Sequence, residues 1–179
     1  LKSQQAGDLD ESAKYMTESA VRDMGTMEEL RDSLSAYEAM GISGETMDTF
    51  MDSMLKAYGM VWEKYEIGDV KVDGDTATVM VKVTGIPMDT LENEMTEEYG
   101  SELAQQWVVD HSEEIQKYME DHTEEESFAW LMDQILPDAG KQVEAKMADA
   151  ERKTSDYRLT LEKDGDDWKV SNVEVKADK

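Results

Sequence analysis

Two histidines stand in matching surroundings. His111-Ser112-Glu113-Glu114 and His122-Thr123-Glu124-Glu125 each place a carboxylate three residues after an imidazole. The histidines are 11 residues apart, close to three helical turns, so one straight helix would align His111, Glu114, Tyr118 and His122. Zinc and similar divalent ions accept imidazole nitrogen and carboxylate oxygen, which makes His111, Glu114 and His122 the candidate metal ligands. Thr123 followed by Glu126 has capping-box spacing, however, and a helix starting beside His122 would break that alignment. Two solvated histidines in an acidic helix are the plainer account.

The other chemistry-bearing groups have bland readings that outweigh the sharp ones. Asp73-Gly74-Asp75 and Asp164-Gly165-Asp166-Asp167 cluster carboxylates as calcium loops do, but they lack the further oxygen ligands and the distant Glu of such a loop. Asp and Gly are also what a tight turn requires, so both stretches read as hairpin turns. Met47, Met51 and Met54, three of 14 methionines, sit beside Phe50 and Leu55 on one helical face, where packing is their expected role. The sequence contains no Gly-x-Ser-x-Gly elbow, no phosphate-cradling glycine loop and no His-Glu-x-x-His. No catalytic residue and no cofactor is expected.

These residues need elements to hold them. From Leu9 to Met24 the apolar positions Ala13, Met16, Ala20 and Val21 give one modest helical face, which Gly25 interrupts. Thr26 and Glu29 have capping-box spacing for a second helix carrying Leu30, Leu34, Tyr37 and Met40. Met47, Phe50, Met51, Met54, Leu55 and Tyr58 form the clearest helical stripe. Near Gly59 the periodicity changes. Ala77, Val79, Val81 and Val83 alternate with polar neighbours after the Asp73-Gly74 turn, predicting an antiparallel hairpin with one wet face. A second hairpin is predicted around Asp164-Gly165. There Leu161 would pair with Trp168 and Leu159 with Val170, with a bulge at Ser171-Asn172.

Between the hairpins the pattern is helical again, with Leu91, Met95, Leu103, Trp107 and Val108 in its first part and an interruption near Gly100. A further helix carries Phe128, Leu131, Met132, Ile135 and Leu136, and Pro137 should kink or break it before Val143 and Met147. The expectation is therefore a single α+β domain over 1–179. It has N-terminal helices over 8–58, a first hairpin over 60–86, a helical insertion over 88–153 and a C-terminal hairpin over 154–176.

Composition narrows the partners. The chain has 18 Lys+Arg against 43 Asp+Glu, a formal net charge of −25, which repels nucleic-acid phosphates and anionic lipid. Residues 89–126 alone hold 14 carboxylates and the single Lys117, an insertion that could draw a basic protein or peptide. Solubility is the simpler use of such charge. Cysteine is absent, which removes disulfides, thiolate metal sites and thiol catalysis. No apolar run is long enough to span a bilayer, so direct membrane insertion is not expected.

The order of helices, hairpin, helices and hairpin resembles the nuclear-transport-factor-like (cystatin-like) α+β cone. The residues that carry the likeness are Tyr157-Arg158-Leu159-Thr160-Leu161, Asp164-Gly165 and Trp168-Lys169-Val170. Tyr65-Glu66-Ile67, Val72-Asp73-Gly74-Asp75 and Val79-Met80-Val81-Lys82-Val83 add to it. More narrowly, the chain is similar to uncharacterised lipoproteins of Clostridium- and Bacillus-type bacteria. The likeness covers roughly 8–87 and 154–176 and leaves the acidic insertion out. It implies N-terminal helices on a curved antiparallel sheet, an extracytoplasmic location, and a lipid anchor upstream of Leu1. Some proteins with that cone are isomerases or hydratases using a Tyr and an Asp inside it. Tyr58, Tyr65 and Tyr157 are the tyrosines that could serve, although the sequence pairs none of them with a buried acid. Three functional expectations follow: a non-enzymatic binding or envelope-interaction domain, a small-molecule pocket lined by Trp62, Tyr65 and Trp168, and a metal site at His111, Glu114 and His122.

Overall fold

Helix and strand boundaries follow the capping and turn residues closely. The structure, a computed structural model, describes every residue except Gly25, Met95 and 177–179, together with all side chains except those of Met27, Leu30, Ser33, Glu92, Glu94 and Glu97. The expected break at Gly25 and the apolar roles of Leu30 and Met95 therefore lie outside the described residues. In chain order come α1 (Lys2–Gln5), α2 (Leu9–Ala13), α3 (Glu18–Met24), α4 (Met27–Ala39), α5 (Gly44–Gly59) and a 3-10 turn (Met60–Trp62). Strands β1 (Lys64–Asp73) and β2 (Thr76–Gly85) follow, then α6 (Met88–Glu94), α7 (Glu97–Asp110), α8 (Ser112–Asp121) and α9 (Glu124–Asp149). Strands β3 (Lys153–Asp164) and β4 (Asp167–Val175) close the chain.

The chain divides into two compact units. The sheet unit comprises Leu1–Leu30, Tyr58–Met88 and Ala150–Lys179, and the helical unit Arg31–Ala57 and Asp89–Asp149. Helix α5, with its stripe of Met47, Phe50, Met51 and Met54, thus belongs up to Ala57 with the acidic insertion.

Within the sheet unit, the strands form one antiparallel meander in the order β1-β2-β3-β4. Both turns are where Asp-Gly predicts them, and Gly74 and Gly165 take φ of +61° and +64°, which a Cβ would oppose. Val81, Val83, Tyr157 and Leu159 are buried on the inner face of β2 and β3. The register of the second hairpin corrects the expectation. Lys163 pairs with Trp168, Leu161 with Val170 and Leu159 with Val173, because Asp164 and Asp167 close a two-residue turn. The register shift falls between Thr160 and Leu161, which leaves Ser171 as the extra residue of β4 and returns Val173 to the apolar face.

The N-terminal segment departs most from expectation. Residues 9–24 do not make one helix, because Met16 leaves helical geometry to form a parallel bridge with Val170. Thr17 donates to the Val170 carbonyl at 2.9 Å and Val170 to that of Tyr15 at 2.8 Å, so the free edge of β4 is partly covered. Gly85 is where two backbones meet: a Cβ there would collide with the Met60 and Val61 carbonyl oxygens.

In the helical unit, Ile42, Met47, Met51, Trp107, Ile135, Val143 and Met147 are buried. Neither Gly100 nor Pro137 breaks its helix. Helix α7 runs through Gly100, and α9 runs 26 residues through Pro137. Proline removes one helical hydrogen bond, but packing around Ile135, Val143 and Met147 in the same helix holds the rest together.

Candidate functional site

The sheet unit holds a cavity of about 390 Å³ between its N-terminal helices and the inner face of β3 and β4. Tyr157, Leu159, Val170 and Val173 supply the sheet wall, and Tyr15, Met16, Ala20 and Met24 the opposite one. Tyr58, Trp62 and Met88 contribute from the segments flanking the first hairpin. The lining is mostly apolar and the volume is that of small-molecule sites in general. Polar groups are few: Gln4, Ser12, Asp23, Ser171 and Asn172 are among them, and Asp23 is exposed.

Three of the lining residues make one polar corner. The Tyr58 hydroxyl donates to Gln4 Oε1 at 2.6 Å. Burial pushes the Tyr58 phenol above its ordinary pKa, and the nearby Trp62 indole N–H offsets part of that rise. The two groups do not meet at hydrogen-bonding geometry, so Trp62 Nε1 is buried with no partner, in a residue only 5% exposed. The Trp62 ring itself packs on Tyr157, centroids 5.1 Å apart and tilted by 45°. A buried N–H without an acceptor costs about 1–3 kcal/mol, which a ligand oxygen could recover.

Of the residues expected to line a pocket, Trp62 does so, whereas Tyr65 and Trp168 are not in the wall. Tyr65 lies on β1 opposite Val83, and Trp168 beside the β3–β4 turn opposite Lys163. Tyr58 and Tyr157 line the cavity. Sequence reasoning missed the whole N-terminal wall, because Tyr15, Met16 and Met24 follow no helical period once Met16 pairs with β4.

The expected metal ligands are not brought together. His111 ends α7 and His122 ends α8, so the straight helix that would have aligned them does not exist. The 10 residues of α8 lie between them, about 15 Å of helix. Each ring is instead stacked on the aromatic residue four positions earlier. His111 lies 3.9 Å from Trp107 and His122 lies 3.8 Å from Tyr118, centroid to centroid. Each Nδ1 is 2.8 Å from the carbonyl oxygen of that same residue, and since a carbonyl only accepts, Nδ1 donates. Trp130 links the two pairs, stacking on Tyr118 at 4.4 Å and meeting Trp107 edge-on at 6.5 Å. The spacing of four between aromatic and histidine is the signal that could have found this ladder. Among the described residues, no group of three His, Asp or Glu side chains is placed to hold a metal ion.

No known protein family, curated protein or solved structure matches this chain. Among the described residues, no helix is long and apolar enough to cross a membrane.

Proposed function

We propose that this chain is a non-enzymatic binding domain whose cavity takes a small, largely apolar ligand carrying a hydrogen-bond acceptor. One observation carries the reading: an apolar cavity of about 390 Å³ has Trp62 in its wall, with a buried N–H that no group of the protein satisfies. Tyr58 and Gln4 flank it and would fix the ligand's orientation. The finer fold reading, a cystatin-like or nuclear-transport-factor-like cone, is part of the same proposal. It is supported by a four-stranded antiparallel sheet with short helices across its inner face. The lipoprotein-like sequence pattern adds an extracytoplasmic, membrane-tethered setting, in which such a domain would collect ligands at the cell envelope.

Nile red, a neutral apolar dye with a carbonyl acceptor, is a suitable first probe. Saturable binding by the parent protein is expected, together with its loss in Leu159→Trp, which fills the cavity from the sheet side. Binding that Leu159→Trp leaves intact, or no saturable binding by the parent, ends the pocket reading. The setting is tested separately, by mass spectrometry of the N-terminus of the protein isolated from its own cells. A lipid-modified cysteine upstream of Leu1 supports it, and an unlipidated cytosolic form overturns it.

A further inference from the structure

The outer edge of β1 ends the sheet, and among the described residues no strand or bridge pairs with it. Ten residues lie along it, and Ile67, Val70 and Val72 are 63%, 58% and 63% exposed. Their places on the sheet are set by a bulge at Gly68-Asp69. Tyr65, Ile67, Val70 and Val72 oppose Val83, Val81, Val79 and Ala77 of β2, so all four share one face. Lys64, Glu66, Lys71 and Asp73 oppose Thr84, Lys82, Thr78 and Thr76 and share the other. Without the extra residue, Ile67 and Val70 would point to opposite faces.

We propose that β1 pairs antiparallel with β1 of a second copy of this chain, about a two-fold axis between Gly68 and Asp69, joining two sheets into one of eight strands. In that register Lys64 faces Asp73, Glu66 faces Lys71, Tyr65 faces Val72 and Ile67 faces Val70, each pair on the same face. Lys64, Glu66, Lys71 and Asp73 each meet an opposite charge, Asp69 faces Gly68 beside the axis, and every apolar side chain meets another, the condition under which cross-strand pairs stabilise. The register is also specific. A slip of two residues one way sets Lys64 against Lys71, and the other way Glu66 against Asp73. Two-fold symmetry makes each contact occur twice. Charge marks this edge out as well: two of its five charged side chains are lysines, in a chain of 18 Lys+Arg against 43 Asp+Glu.

Sedimentation equilibrium of the full chain tests the pairing, at about 0.5 M NaCl to screen the repulsion between copies and up to about 1 mM protein. A monomer–dimer equilibrium is expected. Lys71→Glu and Glu66→Lys each set like charges opposite each other twice and should weaken the dimer roughly tenfold. A one-to-one mixture of those two variants restores both attractive pairs and should recover the parent's dimerisation as a heterodimer. A monomer at every concentration overturns the proposal. So does a dimer that neither variant weakens, or a mixture that associates no better than its components. Glu66 also faces Lys82 within the chain. If Glu66→Lys loses its β-sheet circular dichroism, Lys64→Glu mixed with Asp73→Lys makes the same complementary test.

Discussion

Trp62 carries a buried donor that the protein does not satisfy. Its indole therefore contributes through packing against Tyr157, while its N–H works against folding of the empty protein. Trp62→Phe keeps most of the packing and removes the orphan. Urea unfolding should place it within about 1 kcal/mol of the parent, whereas Trp62→Ala should cost about 3–5 kcal/mol. Equal losses for the two would mean that the N–H is satisfied after all. Dye affinity should fall with both. Tyr58 adds a pH effect at the same corner. Burial raises its folded pKa above the ordinary value near 10, so as pH climbs past that value the unfolded chain loses this proton first. Stability must then fall with rising pH, from the unfolded pKa up to the folded one. Tyr58→Phe should show a shallower decline above about pH 10 than the parent in pH-dependent urea melts. An unchanged slope would place the alkaline sensitivity elsewhere.

At the scale of elements, local chemistry predicted ends and turns better than it predicted partners. Thr26 and Glu29 exchange hydrogen bonds of 2.9 and 3.1 Å, and Thr123 and Glu126 exchange bonds of 2.9 and 3.2 Å, as capping boxes should. Those are interactions within four residues, so the sequence displays both partners at once. The cavity joins residues from three distant segments, and two of its walls meet only because Met16 pairs with Val170, which no periodicity announces. Trp62 was recognisable as an aromatic residue on the sheet side. Trp168 failed as a pocket residue because the second hairpin closes on two residues, two positions away from the register expected. Pro137 failed as a helix end because tertiary packing outweighed a local penalty. That penalty remains measurable: Pro137→Ala should stabilise the helical unit by about 1–3 kcal/mol in chemical denaturation. Thr123→Ala, which removes a cap from the same helix, should destabilise it by about 1 kcal/mol. No gain in Pro137→Ala would mean that the proline ring packs well enough to offset its missing N–H.

For the molecule as a whole, charge is the dominant unfavourable quantity. A net −25 on 179 residues places carboxylates near one another wherever the chain is compact, and unfolding relieves that by spreading them. The ion pairs present offer little relief. Lys14–Glu11, Arg31–Asp48 and Lys56–Glu144 all have largely solvated partners, and water and salt screen such pairs so that they stabilise little. Salt screens the many repulsions more than it weakens these few attractions, because most of the repulsions act over distances near the Debye length, about 8–10 Å at physiological strength. Thermal stability should therefore rise with ionic strength, by several degrees between about 0.02 and 0.5 M NaCl. Measurement at low micromolar protein keeps this separate from association through β1, which the same salt should favour. Choline chloride distinguishes screening from cation binding, since a bulky cation screens equally well but cannot enter a carboxylate site. Equal rises in the two salts are expected. A rise in NaCl alone would instead point to bound sodium among the acidic helices, and a fall in both would show that attractive pairs outweigh the net charge.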